Sequence, residues 1–272
     1  MAKLHMLKSI IDTINTSFIL QTEGSLIVID GGFGGEADYL YPYLKELGGK
    51  VDGWFFTHLH TDHVCAALEV FKKPDIEIKK CYFNFPSDEF LSQSYFMQDT
   101  DPTRKITYRS VDLKPPLMSR TENVIVQPGD TYEFDGFEVS VLLVGDQKLA
   151  RDVNDTSVVY RITVNGKTLL FFGDLGVSGG KQLLEKVPPE LLRADYVQMA
   201  HHGQKGVTRD VYEAIKPENC FWCTPSWLWN NIGPGGYDTG NFLTIVVRGW
   251  ISEMGCVKKH YLMTEGTHVI EL

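Results

Sequence analysis

Cysteine, histidine and positive charge are all scarce in this chain, and each shortage narrows what it can be. Five cysteines in 272 residues are an odd number with no dense spacing, which excludes a disulfide scaffold and fits reduced thiols. Lysine and arginine number 26 against 35 acidic residues, a net charge of -9, so broad electrostatic binding to nucleic acid or to an anionic membrane is not expected. No run of residues is long and apolar enough to span a bilayer. The opening Met1-Ala2-Lys3-Leu4-His5-Met6-Leu7-Lys8 lacks the unbroken apolar stretch of a signal peptide, so the expected location is cytoplasmic. At 43% hydrophobic residues the chain can fill a sizeable core.

Histidine is concentrated where it is present. Three of the eight histidines fall in His58-Leu59-His60-Thr61-Asp62-His63, four candidate metal ligands in six residues. They follow the apolar run Val51 to Thr57, which reads as a buried strand of a parallel sheet. Ligands at the carboxyl end of such a strand stand where open α/β sheets place their chemistry; a turn of solvated histidines is the alternative. Asp62 and His63 would open a helix over Asp62 to Phe71, where free N–H groups and the helix dipole favour an acid.

Periodicity places the other elements. Strands are expected at Leu4 to Ile10, Ser17 to Thr22, Ser25 to Asp30 and Ile76 to Phe85, with Glu23-Gly24 as a hairpin turn and a helix over Glu36 to Leu47. Ser87 to Met97 can be helical, and residues 86 to 121 form an irregular insertion. Strands resume at Asn123 to Val126, Glu133-Phe134, Phe137 to Val144, Thr156 to Thr163 and Thr168 to Phe172, then near 195–200, 219–224 and 258–263. Helices are expected near 179–192, 208–215 and 240–253. Two similar α/β halves packed sheet to sheet account for this order. Cys220-Phe221-Trp222-Cys223 has the C-x-x-C spacing, but inside a strand its thiols project to opposite faces, which favours buried structural cysteines over a redox or zinc site.

Three further apolar strands end in polar residues: Val28-Ile29-Asp30, Leu169 to Phe172 followed by Gly173-Asp174, and Tyr196 to Ala200 followed by His201-His202-Gly203. A shared rim at one end of the sheets is the simplest reason for that regularity. In this order, Asp30, His58-His60-Asp62-His63, Asp174 and His201, the chain resembles the metallo-β-lactamase-fold hydrolases. The resemblance implies an α/β (α+β) fold, a four-layer αββα sandwich, spanning residues 1–272 as one domain. It implies His58 and His60 on one metal, Asp62, His63 and His201 on a second, Asp174 bridging, and Asp30 orienting a ligand histidine from behind. Within that superfamily, Asn154-Asp155-Thr156-Ser157-Val158-Val159, Gly173-Asp174, Ala200-His201-His202-Gly203 and the closing Glu265 to Ile270 look like the soluble hydrolase domain of DNA-uptake competence channels and its stand-alone relatives.

Two departures qualify the match. Residues 64 to 200 hold no histidine, so the usual ligand before Gly-Asp is missing. Asn154 stands in its place, with Asp152 and Asp155 as alternatives. An oxygen ligand shifts preference from zinc toward manganese. Gly235-Gly236-Tyr237-Asp238 also lacks the histidine of that branch's Gly-His-Pro-like turn.

The cofactors implied are two divalent ions, zinc or manganese with iron as a third candidate, activating a shared hydroxide. Asp62 and His202 are the candidates for proton transfer; His202, unless it is the ligand in place of His201, could contact the substrate or protonate the leaving group, and a structural role bonded to a carbonyl is the alternative. Lys205, Trp227 and Trp229 are candidates for substrate contact. So are Phe83, Phe85, Phe90, Tyr95, Phe96, Arg104, Lys105, Tyr108 and Arg109, which read equally as core. The leading expectation is a metal-dependent phosphoester or phosphodiester hydrolase acting on a small or nucleotide-like substrate. A lactone, thioester or amide hydrolase of the same fold and a degenerate, non-catalytic metal-binding partner protein are the alternatives.

Overall fold

A computed structural model describes residues 1–93, 119–204 and 206–272. Its frame is two seven-stranded sheets lying face to face. The first runs in the order β14 (His268–Glu271), β1 (Lys3–Met6), β2 (Ser17–Gln21), β3 (Leu26–Asp30), β4 (Lys50–Phe55), β5 (Glu77–Phe83) and β6 (Glu122–Ile125). The second runs β13 (Lys259–Leu262), β12 (Asn219–Trp222), β11 (Tyr196–Gln198), β10 (Lys167–Phe171), β9 (Val158–Val164), β8 (Phe137–Val144) and β7 (Thr131–Phe134). Both sheets are built alike: β3 to β6 and β10 to β13 pair in parallel, and the remaining pairs are antiparallel.

Side-chain alternation divides the core into three layers. Ile27 and Ile29 of β3 point between the sheets, whereas Leu26 and Val28 point out beneath helices, which is why this strand reads as an unbroken apolar run. Between the sheets, Phe55 stacks on Tyr82 at 4.2 Å and meets Tyr160 of the facing sheet edge-on at 5.3 Å. Truncating a ring so placed typically costs about 3–5 kcal/mol. Outside the first sheet, α1 (Ala37–Glu46) and α2 (Thr61–Phe71) cover Trp54, Phe56 and Phe71. Outside the second lie α4 (Val177–Lys186), α5 (Pro189–Leu192), α6 (Arg209–Ile215) and α8 (Thr244–Met254). Two short helices, α3 (Asp88–Gln93) and α7 (Ser226–Trp229), complete the set among the described residues. This is the αββα sandwich.

Local chemistry moves some boundaries from their expected places. β1 ends at Met6 rather than Ile10, because the Glu36 carboxylate accepts from the Ser9 hydroxyl at 2.5 Å and the Ile10 amide at 2.9 Å. Those bonds turn the chain away from the sheet. The helix expected over 179–192 is two helices, broken where Pro188-Pro189 cannot continue it. The C-x-x-C thiols do face opposite ways: Cys220 packs under the outer helices and Cys223 between the sheets, both unpaired and buried. Phe83, Phe85 and Phe90 join the core beneath α2, so they are cover rather than pocket. Tyr95, Phe96, Arg104, Lys105, Tyr108 and Arg109 lie outside the described residues, as does most of the 86–121 insertion.

Candidate metal centre

The strand ends β3, β4, β10 and β11 converge on one rim, and their polar residues meet there. Asp30 closes β3 in a left-handed conformation (φ 55°), fully buried. Its carboxylate accepts from the Thr57 amide at 2.8 Å, the Thr57 hydroxyl at 2.7 Å and His63 Nδ1 at 2.7 Å. A carboxylate only accepts, so His63 carries a proton on Nδ1 and turns Nε2 toward the rim, where a metal could take the place of an Nε2 proton. Burial pushes the Asp30 carboxyl up, against the pull of His63 and Thr57. The backbone of α2 is pinned from outside by Gly31 N to His63 O at 2.6 Å and Thr16 N to Asp62 O at 3.1 Å.

The facing half delivers Asp174. Two residues past the end of β10 comes Gly173, whose φ of 54° and contact with the Thr57 hydroxyl leave no room for a Cβ. Gln198, buried in β11, ties the two strand ends together: it accepts from Phe172 N at 2.8 Å and donates to the carbonyls of Gly173 at 3.0 Å and Met199 at 2.8 Å. His201 and His202 both adopt left-handed backbone (φ 52° and 56°), and Gly203 follows with φ 74° against the Trp222 ring. Consecutive non-glycine residues in this region store strain of the kind found at functional sites. The turn directs His202 inward. Its Nδ1 donates to the Cys223 carbonyl at 3.0 Å, and its Nε2 lies 2.7 Å from Asp62 Oδ2 and 3.3 Å from Asp174 Oδ2.

Two sets of ligand atoms result, each within 4.8 Å: Asp62, His63, Asp174 and His202, and His58, His60 and Asp174. Asp174 belongs to both. Its Oδ1 stands 3.1 Å from His63 Nε2, and its Oδ2 3.9 Å from His58 Nε2. The structure thus groups His202 with Asp62 and His63, while His201 Nε2 lies 3.8 Å from Asp174 Oδ2 with its side chain 26% exposed.

The donors fit metal ions better than they fit one another. His58 Nε2 is buried without a hydrogen-bond partner, and His63 Nε2 and Asp174 Oδ1 face only each other at 3.1 Å, a buried polar cluster that is costly unless something positive joins it. Burial, then the neighbouring imidazoles His63 and His60, hold His58 well below the usual histidine range, and burial takes His60 to about 4, so both present lone pairs near neutral pH. Burial opposes charge on His63 and His202 as well, but Asp174, with Asp30 and Asp62 for His63 and Asp62 for His202, holds His63 well above its usual range and His202 at about 9. Asp174 is itself held far below the carboxylate range, burial being outweighed by His202, His63 and His201. Without cations the rim is therefore a zwitterionic knot of imidazolium and carboxylate, in which protons occupy positions suited to metals.

The remaining sequence candidates divide. Asn154 is buried with Oδ1 unpartnered, as expected of an oxygen donor held for something else. Of its two alternatives, Asp155 accepts from Gly179 N in the first turn of α4 at 3.2 Å, and Asp152 uses Oδ1 to accept from the amides of Asn154 and Asp155 and feels the charge of His201. Trp227 packs edge-on to Phe242, and Trp229 lines a separate cavity with Trp222. Lys205 lies outside the described residues. Thr57 and Gln198 were not singled out from sequence, although a lone amide in a doubly buried strand was the signal available for Gln198.

The αββα sandwich gathers at its rim two histidine–aspartate ligand sets around a shared carboxylate, a donor arrangement suited to metal ions. A family model, the metallo-beta-lactamase superfamily, matches residues 11–219, and the chain belongs to that superfamily. No curated protein matches. Among solved structures, the metallo-beta-lactamase fold protein YhfI from Bacillus subtilis aligns with a TM-score of 0.60 at 13% identity, covering 100% of this chain and 99% of that one. Unliganded yeast PDE1 aligns at 0.56 and 11% identity, over 100% and 99%. CmlA, a diiron beta-hydroxylase from Streptomyces venezuelae, aligns at 0.59 and 13% identity over 100% of this chain, which spans 54% of CmlA. At such identities the likeness establishes the fold. Among the described residues, no helix is long and apolar enough to cross a membrane.

Proposed function

We propose that the chain is a phosphoesterase, acting on a small, nucleotide-like phosphodiester with two divalent cations at the rim. The observation that carries this reading is the sharing of Asp174 between two ligand sets, one oxygen toward each. Paired cations so held would lower the pKa of a water and neutralise charge developing on a phosphoryl group. His58 and His60 with Asn154 would hold one, Asp62, His63 and His202 the other. The oxygen of Asn154 in place of an imidazole supports manganese over zinc at the first.

The chain's own groups perform the positioning. Asp30 and the Cys223 carbonyl fix the His63 and His202 rings with Nε2 inward. The part-exposed His201 stands beside Asp174 on the solvent side, where it can contact the substrate or donate a proton to the leaving oxygen. The assignments of His201 and His202 implied by family resemblance are thus exchanged. The motifs support kinship with the hydrolase domain of competence channels, while the missing histidine near Tyr237 and the net charge of -9 favour a small substrate over DNA. Five unpaired cysteines support a reducing, cytoplasmic setting.

The test is metal content by elemental mass spectrometry on wild type and Asp174→Ala, followed by turnover of bis(p-nitrophenyl) phosphate with the metal found. Two equivalents, lost in the variant, with metal-dependent turnover are expected. Full activity of metal-free protein, or turnover of lactones or thioesters with no phosphodiester turnover, would overturn the reading. One equivalent and no activity on any ester would make the chain a binding partner instead.

A further inference from the structure

A cavity of about 760 Å³ opens beside the edge strand β13, between α7 and α8, and shares no residue with the metal rim. That volume suits a small organic ligand. Its exposed lining includes Trp229, Ile245, Val257 and Leu262, so part of its wall is apolar. Three features make it more than a packing gap. Arg248 lies over the Trp229 ring, 4.0 Å from its centroid. Among the described residues its guanidinium makes one hydrogen bond, to the Trp229 carbonyl at 3.1 Å, and no ion pair. In a chain with net charge -9, a half-buried guanidinium without a carboxylate is a positive site open to an anion.

His260 adds a donor. The Trp222 indole N–H can only donate, and it points at His260 Nδ1 at 3.0 Å. The neutral ring's own proton is therefore on Nε2, on the side away from Trp222. The third feature is Gly249, in the second turn of α8 on the cavity wall. A Cβ there would meet nothing within 4 Å, so no neighbour requires the missing side chain, and alanine would be the better helix former. The absent side chain instead widens the cavity. Asp238 at the lining, whose carboxylate accepts from Asn231 at 3.1 Å, sets a limit on the guest: a second negative charge would be repelled.

We infer that this cavity is a second binding site, taking a flat monocarboxylic acid whose carboxylate meets Arg248 and whose unsaturated body lies against the part-exposed Trp229, Val257 and Leu262.

Isothermal titration of the metal-loaded protein with 2-naphthoate and with neutral 2-naphthamide tests this. One equivalent of the acid is expected to bind, at least about tenfold more tightly than the amide, the discrimination expected of a charge-assisted bond. Arg248→Gln should remove that preference and leave the amide unchanged. Gly249→Leu should abolish binding of both. Asp174→Ala, which dismantles the metal rim, should bind the acid as wild type does. No acid binding tighter than ~1 mM, equal affinity for acid and amide, an undiminished preference in Arg248→Gln, or loss in Asp174→Ala would each overturn the proposal. Should Gly249→Leu fail to fold, Arg248→Gln decides alone.

Discussion

Asp30 and His63 are 33 residues apart in the chain and 2.7 Å apart in the fold, and that bond fixes which nitrogen of His63 faces the rim. Asp30 also holds the Thr57 amide and hydroxyl, so one carboxylate organises the strand end from which His58 departs.

Replacing Asp30 with asparagine should therefore weaken metal binding without removing a ligand. The amide can still accept from Thr57, but its support for the His63 Nδ1 proton is reduced. Loss of such an orienting partner typically lowers metal affinity about 10–100-fold. Competition against a chromophoric chelator measures this; wild-type affinity in Asp30→Asn would mean that His63 needs no orientation.

Asn154→His should restore an imidazole to the His58/His60 set and shift its preference toward zinc. Elemental analysis after equilibration with equal manganese and zinc should show a higher zinc-to-manganese ratio than wild type. An unchanged ratio would remove Asn154 from the ligand set.

Metal-free protein, prepared by chelation, should be most stable near pH 6.5. His60 is depressed to about 4 from 6.5, so the unfolded chain binds more protons between those values and stability rises with pH there. His202 is raised to about 9, so its contribution is fully present below 6.5 and is lost as pH rises through 9. His58 and His63 add to the two limbs in the same directions. Urea midpoints across this range should trace a dome, and metal should flatten its alkaline limb by displacing the His202 proton. A monotonic profile would contradict the zwitterionic rim.

Gly203→Ala should destabilise the fold by about 2 kcal/mol or more, because a Cβ meets the Trp222 ring and φ is 74°. Chemical denaturation measures it. Gly249→Ala, in an open helical position, is the control and should be neutral or stabilising.

Native-state alkylation should modify Cys65 and Cys256, which are half-buried, and spare Cys81, Cys220 and Cys223, which are buried. Burial also raises the Cys65 thiol to about 11, so Cys256 should react first. Ready modification of Cys220 or Cys223 would reopen a redox role for the C-x-x-C pair.

Much of this protein is legible in one dimension because its signals are local. Strand β3 shows itself by a run buried on both faces, α2 by an acid in its first turn, and the rim by polar residues that end apolar strands. Candidate metal ligands two positions apart just beyond one strand end, such as His58 and His60, also need no fold to be recognised. What tertiary structure alone decided depends on residues far apart in the chain or on backbone conformation. The different placement of the two rings, His202 buried against Asp62 and His201 part-exposed, rests on two left-handed residues and on the carbonyl of Cys223, 21 positions from His202. Gln198 and Thr57 matter because they join strand ends that sequence lists separately. The Arg248 cavity arises where α8 crosses the end of β12 and β13, and no periodicity records the space between packed elements.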